Sequence, residues 1–383
     1  MNTITAAGKK LAEIEQQLFD TCLDNTPLSL FNGKGGLLLL YHNLYTVLGD
    51  NDYSRKSQLI TEQLMDDITQ GIPSFTYCDG LTGIAALFSY LREKEFFDSS
   101  IDGLLEQCDQ VLHNALQVTL DNANWDYLHG AVGIILYFIE RNKAGRDTAA
   151  LGPMIEKVVQ GQLEQGREYT NCGMAHGLVS LLMLLIKYAR IAADPVNIRS
   201  NIKAIAEQLL TFKSPNPGSL SVFPSIVKPA NPDEWNYEVP LGWCYGDTTI
   251  SIGLYHAGKA LHSTYLVKEA TELALHTTRR VNRQDSRVFD AGFCHGSASV
   301  AHIYRKWYQY TLDPVFLDSY HSWIDQTIAM CSFEDGIGGY KKFTGKTYSP
   351  ECGVLSGAAG VALVLADFIG DGPGEWDRFF LLS

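Results

Sequence analysis

Residues 80–91 read Gly-Leu-Thr-Gly-Ile-Ala-Ala-Leu-Phe-Ser-Tyr-Leu. Two glycines precede an apolar run that has no strict alternation. A half-buried strand would alternate, so the run reads as a buried helix whose small first-turn residues permit close backbone approach. The same grammar recurs along the chain. Segments begin at Gly33, Gly80, Gly130, Gly177, Gly246, Gly296 and Gly357, at intervals of 47, 50, 47, 69, 50 and 61 residues. A period near 50 holds two helices and their loops.

Amphipathic stretches lie between the copies and suit outer helices. The clearest are 101–118, 201–213 and 314–330. Helices that are apolar on most faces must be enclosed, and a closed ring of helix pairs does that. The expected fold is all-α, an α/α toroid of seven inner and seven outer helices, with an open superhelix as the competing arrangement. The chain then forms a single domain over 1–383. Six prolines in 214–241 argue against a long helix there and mark a loop insertion, either a cover for a cavity mouth or a plain spacer. Residues 335–339, DGIGG, read as a mobile loop.

Composition narrows the function classes. Of 383 residues, 46% are apolar, which is ample core material. Lys plus Arg number 30 and Asp plus Glu 43, so the formal charge is -13. That balance disfavours a nucleic-acid binder and leaves a peptide or small-molecule partner open. No apolar run reaches the ~18 residues of a membrane span, so no transmembrane segment is expected. The N-terminus lacks the apolar stretch of a signal peptide, and cytoplasmic residence is the default. The eight cysteines are then expected to be reduced, as core residues or metal ligands.

Reactive residues sit beside the glycine motifs. Trp125-Asp126-Tyr127-Leu128-His129 precedes Gly130, Ala175-His176 precedes Gly177, Trp243-Cys244-Tyr245 precedes Gly246, and Phe293-Cys294-His295 precedes Gly296. If every motif opens a helix at the same end of the ring, these side chains converge on one cavity. Cys244, Cys294 and His295 offer two thiolates and one imidazole, a donor set that suits zinc with a fourth position open. Core cysteines are the competing reading, and Cys78 and Cys172 compete as ligands. Cys22, Cys108, Cys331 and Cys352 read as structural. His176 can exchange protons near neutral pH, with Asp126 orienting it; a structural histidine and a helix cap are the plainer readings. Dinucleotide-type Gly-x-Gly-x-x-Gly, phosphate-binding Gly-Lys-Ser/Thr and Gly-x-Ser-x-Gly patterns are absent from the sequence.

Taken together, Trp243-Cys244-Tyr245-Gly246, Cys294-His295-Gly296 and Ala175-His176-Gly177, set within seven glycine repeats, resemble the lanthionine synthetase C-like family, the cyclases of lantibiotic biosynthesis. The C-terminal Trp376-Asp377-Arg378-Phe379-Phe380-Leu381-Leu382 is also similar to the family's ending. The resemblance implies zinc on Cys244, Cys294 and His295, proton handling by His176, a catalytic role for Asp126 and a family tyrosine at Tyr245, with His176 or zinc-bound water as the acid and Asp126 supporting proton transfer. It implies addition of a peptide cysteine, held as a thiolate by zinc, to dehydroalanine or dehydrobutyrine in a precursor peptide, giving a lanthionine or methyllanthionine ring. The implied partners are the dehydrated precursor, a lantibiotic dehydratase and an exporter, with peripheral association with a membrane-bound biosynthetic complex. Zinc-dependent addition of glutathione or another external thiol is an alternative. A non-catalytic, zinc-stabilised peptide-binding protein is another. The sequence departs from the family pattern at Ser180, Thr249 and Ser299, which replace the second motif glycine, and in Gly246-Asp247-Thr248-Thr249 as a whole. It departs again at Pro240, where many bacterial cyclases carry arginine.

Overall fold

A computed structural model describes residues 2–23, 26–142, 150–193 and 195–383. In chain order its helices are α1 (Thr3–Cys22), α2 (Lys34–Leu48), α3 (Asn51–Gln70), α4 (Leu81–Glu93), α5 (Asp102–Asp121), α6 (Ala131–Asn142), α7 (Leu151–Gln165) and α8 (Leu178–Ala189). Then come α9 (Val196–Thr211), α10 (Asp247–Ala260), α11 (Thr264–Thr277), the single turn α12 (Arg283–Ser286), α13 (Ser297–Thr311), α14 (Pro314–Ala329) and α15 (Ala358–Gly370). Two short antiparallel pairs accompany them. β1 (Thr170–Asn171) pairs with β2 (Ile226–Val227), and β3 (Lys342–Phe343) with β4 (Tyr348–Ser349).

Among the described residues, α2, α4, α6, α8, α10, α13 and α15 each begin directly after a motif glycine, so all seven copies open a helix. The remaining long helices, α1 ahead of them and α3, α5, α7, α9, α11 and α14 between them, also number seven. Their burial differs as the patterning requires. Residues Leu178–Tyr188 of α8 are buried on every face, whereas α3 buries only Ser57, Ile60 and Leu64. Each enclosed leucine contributes roughly 1.5–3 kcal/mol relative to exposure, which is why an all-apolar helix is stable only when surrounded.

The glycines have a local cause. The chain doubles back before the motifs, so that at six of the seven the carbonyl of the residue six positions earlier lies over the glycine; at Gly296 the Gly292 backbone and the Asp290 carboxylate take that place. An added Cβ on Gly80 would overlap the Ser74 carbonyl, and one on Gly357 the Glu351 carbonyl. The same turn satisfies the first helical N–H: Leu81 donates to Ser74 at 2.9 Å and Ala358 to Glu351 at 3.0 Å. Where the second glycine is replaced, a hydroxyl folds back instead. Ser180 Oγ donates to the Gly177 carbonyl at 2.8 Å and Ser299 Oγ to that of Gly296 at 3.0 Å. These departures therefore act on packing.

The chain divides into two compact units, one comprising Met1–Pro73, Leu241–Trp243 and Thr278–Ser383, the other Ser74–Pro240 and Cys244–Thr277. In the first unit Cys22, at the end of α1, forms a disulfide with Cys352. This corrects the expectation that all the cysteines are reduced. The 335–339 segment is also held more firmly than expected: Gly338 N–H donates to Gln17 Oε1 at 2.7 Å, and Ile337 bridges to Tyr340. In the second unit the proline-rich 214–241 segment is irregular but pinned. Fully buried Asp247, in the first turn of α10, accepts from the N–H groups of Val222 at 2.8 Å and Phe223 at 3.0 Å. That carboxylate sits where a helix N-terminus favours negative charge, which gives the unusual Gly246-Asp247-Thr248-Thr249 copy a structural purpose.

Candidate functional site

Within the second unit, the loops ahead of α6 and α8 bring Asp126 and His176 together across one repeat. Asp126 Oδ2 lies 2.7 Å from His176 Nδ1. Its other oxygen, Oδ1, accepts the His129 backbone N–H at 2.7 Å, which fixes the carboxylate plane. The His129 ring stacks near that of His176 with centroids 6.0 Å apart, and Tyr245 flanks it from another side at 6.4 Å. The His176 side chain is about one-third exposed, so it reaches solvent while its Nδ1 is held. Ala175, next to His176, donates its N–H to the Cys244 carbonyl at 3.3 Å. Gly173 lets this strap approach, because an added Cβ would overlap the same carbonyl.

Within the first unit, Cys294 and His295 open α13. Trp243 donates its backbone N–H to the Cys294 carbonyl at 2.9 Å, and its indole N–H to the Phe380 carbonyl at 2.7 Å. The next peptide bond along the chain leads to Cys244. Asp290 lies behind His295, with its Oδ2 3.6 Å from His295 Nε2. That carboxylate is itself fixed by the N–H groups of Gly292 at 3.0 Å and Phe343 at 2.7 Å. A hydrogen bond with the Cys294 side chain outweighs burial and pushes the His295 imidazole up to about 9.

The remaining candidates separate from these groups. Burial pushes the Cys172 thiol up to about 12, which disfavours the thiolate a metal needs. Cys78 is buried, and Cys108 is pushed up to about 11 by burial and by Asp109. His42, His113 and His276 lie within α2, α5 and α11.

Sequence reasoning missed Asp290. Its signal lies six residues before the motif glycine, where the copies read Pro27, Ser74, Asn124, Asn171, Pro240, Asp290 and Glu351. At that position Asn171 Oδ1 accepts from Gly173 N–H at 2.8 Å, and Asp290 Oδ1 accepts two residues on in the same way at 3.0 Å. This is the turn that Asn and Asp side chains make with their own backbone. Pro240 occupies the equivalent place.

Residues 24–381 match the family described as Lanthionine synthetase C-like protein. The chain belongs to the lanthionine synthetase C-like family. Among its relatives, a zebrafish (Danio rerio) protein named Glutathione S-transferase LANCL1 is 22% identical over 88% of this chain and 82% of its own length. Among solved structures, one named Nisin cyclase superposes with a TM-score of 0.75 at 18% identity, covering 98% of this chain and 96% of that one. This likeness shows the fold of the lanthionine synthetase C-like chain to be all-α, an α/α toroid. Among the described residues, no helix is long and apolar enough to cross a membrane.

Proposed function

We propose that this protein is a zinc-dependent peptide cyclase that adds cysteine thiols to dehydroalanine or dehydrobutyrine in a precursor peptide. The observation that carries the reading is the His176–Asp126 pair, 2.7 Å apart, on a loop whose Ala175 holds the Cys244 carbonyl. An acid–base pair beside a metal-type cysteine is what thiol addition needs.

In this reading Cys244, Cys294 and His295 hold zinc. Two sulfurs and one imidazole nitrogen fit that ion, and Asp290 behind His295 is the carboxylate that orients a ligating histidine. When bound, zinc favours the thiolate of a substrate cysteine at neutral pH. The sulfur then bonds to the β-carbon of the dehydro residue, and the double-bond pair moves onto the carbonyl oxygen as an enolate. His176 delivers a proton to the α-carbon. The thiol has lost one proton and the α-carbon has gained one, so the step is a net addition. Asp126 holds the imidazole through Nδ1 and supports the charged ring. Tyr245 limits ring rotation. The dehydrated precursor, its dehydratase and an exporter are the partners of this reading, which also takes 1–383 as one domain.

The test is incubation of the zinc-loaded protein with dehydrated precursor peptide and mass-spectrometric counting of free thiols. Ring formation lowers the count at unchanged peptide mass. An unchanged count on a peptide with both reacting groups overturns the reading. The zebrafish relative's name favours one alternative, addition of free glutathione to dehydroamino acids. It would raise the peptide mass by one glutathione per addition.

A further inference from the structure

A cleft lined in part by the His176–Asp126 pair lies within the second unit. It has a volume of about 170 Å³ and lies between the end of α7 and the Asp126 loop. Apart from Asp126 and His176, its polar lining is uncharged: Asn124, Gln162, Gln165, Tyr169 and Asn171. Among the described residues, no lysine or arginine lines it. Gln162 and Gln165 stand three apart on α7 and share one face. Among the described residues, no protein hydrogen bond occupies the Gln162 or Gln165 amide or the Tyr169 hydroxyl.

The cleft is built rather than incidental. Trp125, next to Asp126, is buried against α7 at Gly161, where any Cβ would overlap the indole ring. That contact fixes the two glutamines relative to the acid–base pair. The size is also informative. Pockets that enclose a free ligand run to about 300 Å³ or more, so this one takes part of a longer molecule. Neutral carboxamides that both donate and accept match peptide main-chain N–H and C=O groups. A free γ-glutamyl thiol carries two carboxylates, for which the described lining offers no lysine or arginine.

We infer that this cleft is a subsite for the main chain of the peptide flanking the dehydro residue, with Gln162 and Gln165 as the residues that recognise it. The inference deepens the cyclase reading and rests on it for the identity of the peptide. It assigns specificity to a linear, uncharged backbone segment over a small anionic thiol.

The probe is a fluorescein-labelled decapeptide of neutral residues that contains one dehydroalanine and has serine in place of cysteine, so that it binds without closing. Fluorescence anisotropy with the zinc-loaded full chain gives Kd. The double variant Gln162→Leu/Gln165→Leu should weaken binding roughly tenfold, as expected for two neutral hydrogen bonds. N-methylation of the peptide amides beside the dehydroalanine should weaken wild-type binding similarly and leave the variant's unchanged. Equimolar glutathione should not displace the probe. A Kd within twofold of wild type, in a variant with wild-type circular dichroism and zinc content, overturns the subsite. So does wild-type binding that is indifferent to N-methylation, a comparison that decides even if the variant fails to fold. Free-thiol counting on the cysteine-bearing peptide separates the two claims. Ring closure by a wild type whose variant binds equally well removes the subsite alone. Variant-sensitive binding without ring closure removes the cyclase alone.

Discussion

The imidazole of His176 and the carboxylate of Asp126 meet at 2.7 Å although they lie 50 residues apart, one repeat of the chain. Asp126 is held by the His129 N–H as well, so replacing it by asparagine should leave the loop folded. What is lost is the charge that supports the protonated ring. Asp126→Asn should lower kcat for ring formation about 100-fold, within the range that general acid–base groups contribute. His176→Asn should lower it at least as much. Free-thiol consumption over time measures both, with circular dichroism as the control for folding. A kcat within twofold of wild type in either variant would remove the pair from the chemistry.

Metal content provides a separate prediction. Cys294→Ala removes one of the two sulfurs proposed as ligands, and its backbone bond from Trp243 persists because only the side chain changes. The variant should lose zinc and ring formation together, as should wild type treated with a chelator, and added zinc should restore only the latter. Inductively coupled plasma mass spectrometry gives the stoichiometry. Retained stoichiometric zinc in the variant refutes the ligand assignment.

The repeat was legible because its cause is local. A glycine is needed where a carbonyl six residues earlier crosses the backbone, and that requirement recurs at Gly33, Gly80, Gly130, Gly177, Gly246 and Gly357. The same periodicity made His176 and Asp126 readable as residues of neighbouring loops, one and four positions before their motif glycines. Relations without a repeat stayed hidden. Cys22 and Cys352 are 330 residues apart, and nothing in the spacing of eight cysteines singles out that pair. The tie from Asp247 to Val222 and Phe223 was hidden because its acceptor side chain looks like a defect in a glycine motif. Asp290 was hidden because its distance to His295 depends on how one particular turn closes.

The disulfide makes a prediction of its own. It links the end of α1 to the loop before α15, closing a very long stretch of chain. Constraining the unfolded chain in this way typically stabilises by 2–4 kcal/mol. Cys352→Ser, or reduction of wild type, should therefore lower the urea midpoint by about that equivalent, and reductant should not affect the variant further. Recovery of both residues as free thiols after unfolding without reductant would show that the bond does not form.

Acid should loosen the C-terminal segment first. Fully buried Asp377 accepts from His302 Nε2 at 2.9 Å and Lys306 Nζ at 3.0 Å on α13. Burial opposes its ionised form, but these two partners win and hold the carboxyl at about 2, down from its usual 3.8. A depressed carboxylate stabilises the fold above the unfolded value and loses that contribution as pH falls toward the folded one. The window is therefore pH 4 to 2, and the contribution is roughly 2 kcal/mol. Asp377→Asn leaves the Lys306 ammonium and the buried His302 ring without their carboxylate, and should cost about 3–5 kcal/mol at pH 7. It should also flatten the wild-type fall in stability between pH 4 and 2. Because Phe380, three residues on, accepts the Trp243 indole N–H, tryptophan emission should shift in the same variant. Urea unfolding across pH measures the slope. Equal slopes in the two proteins would take Asp377 out of the acid response.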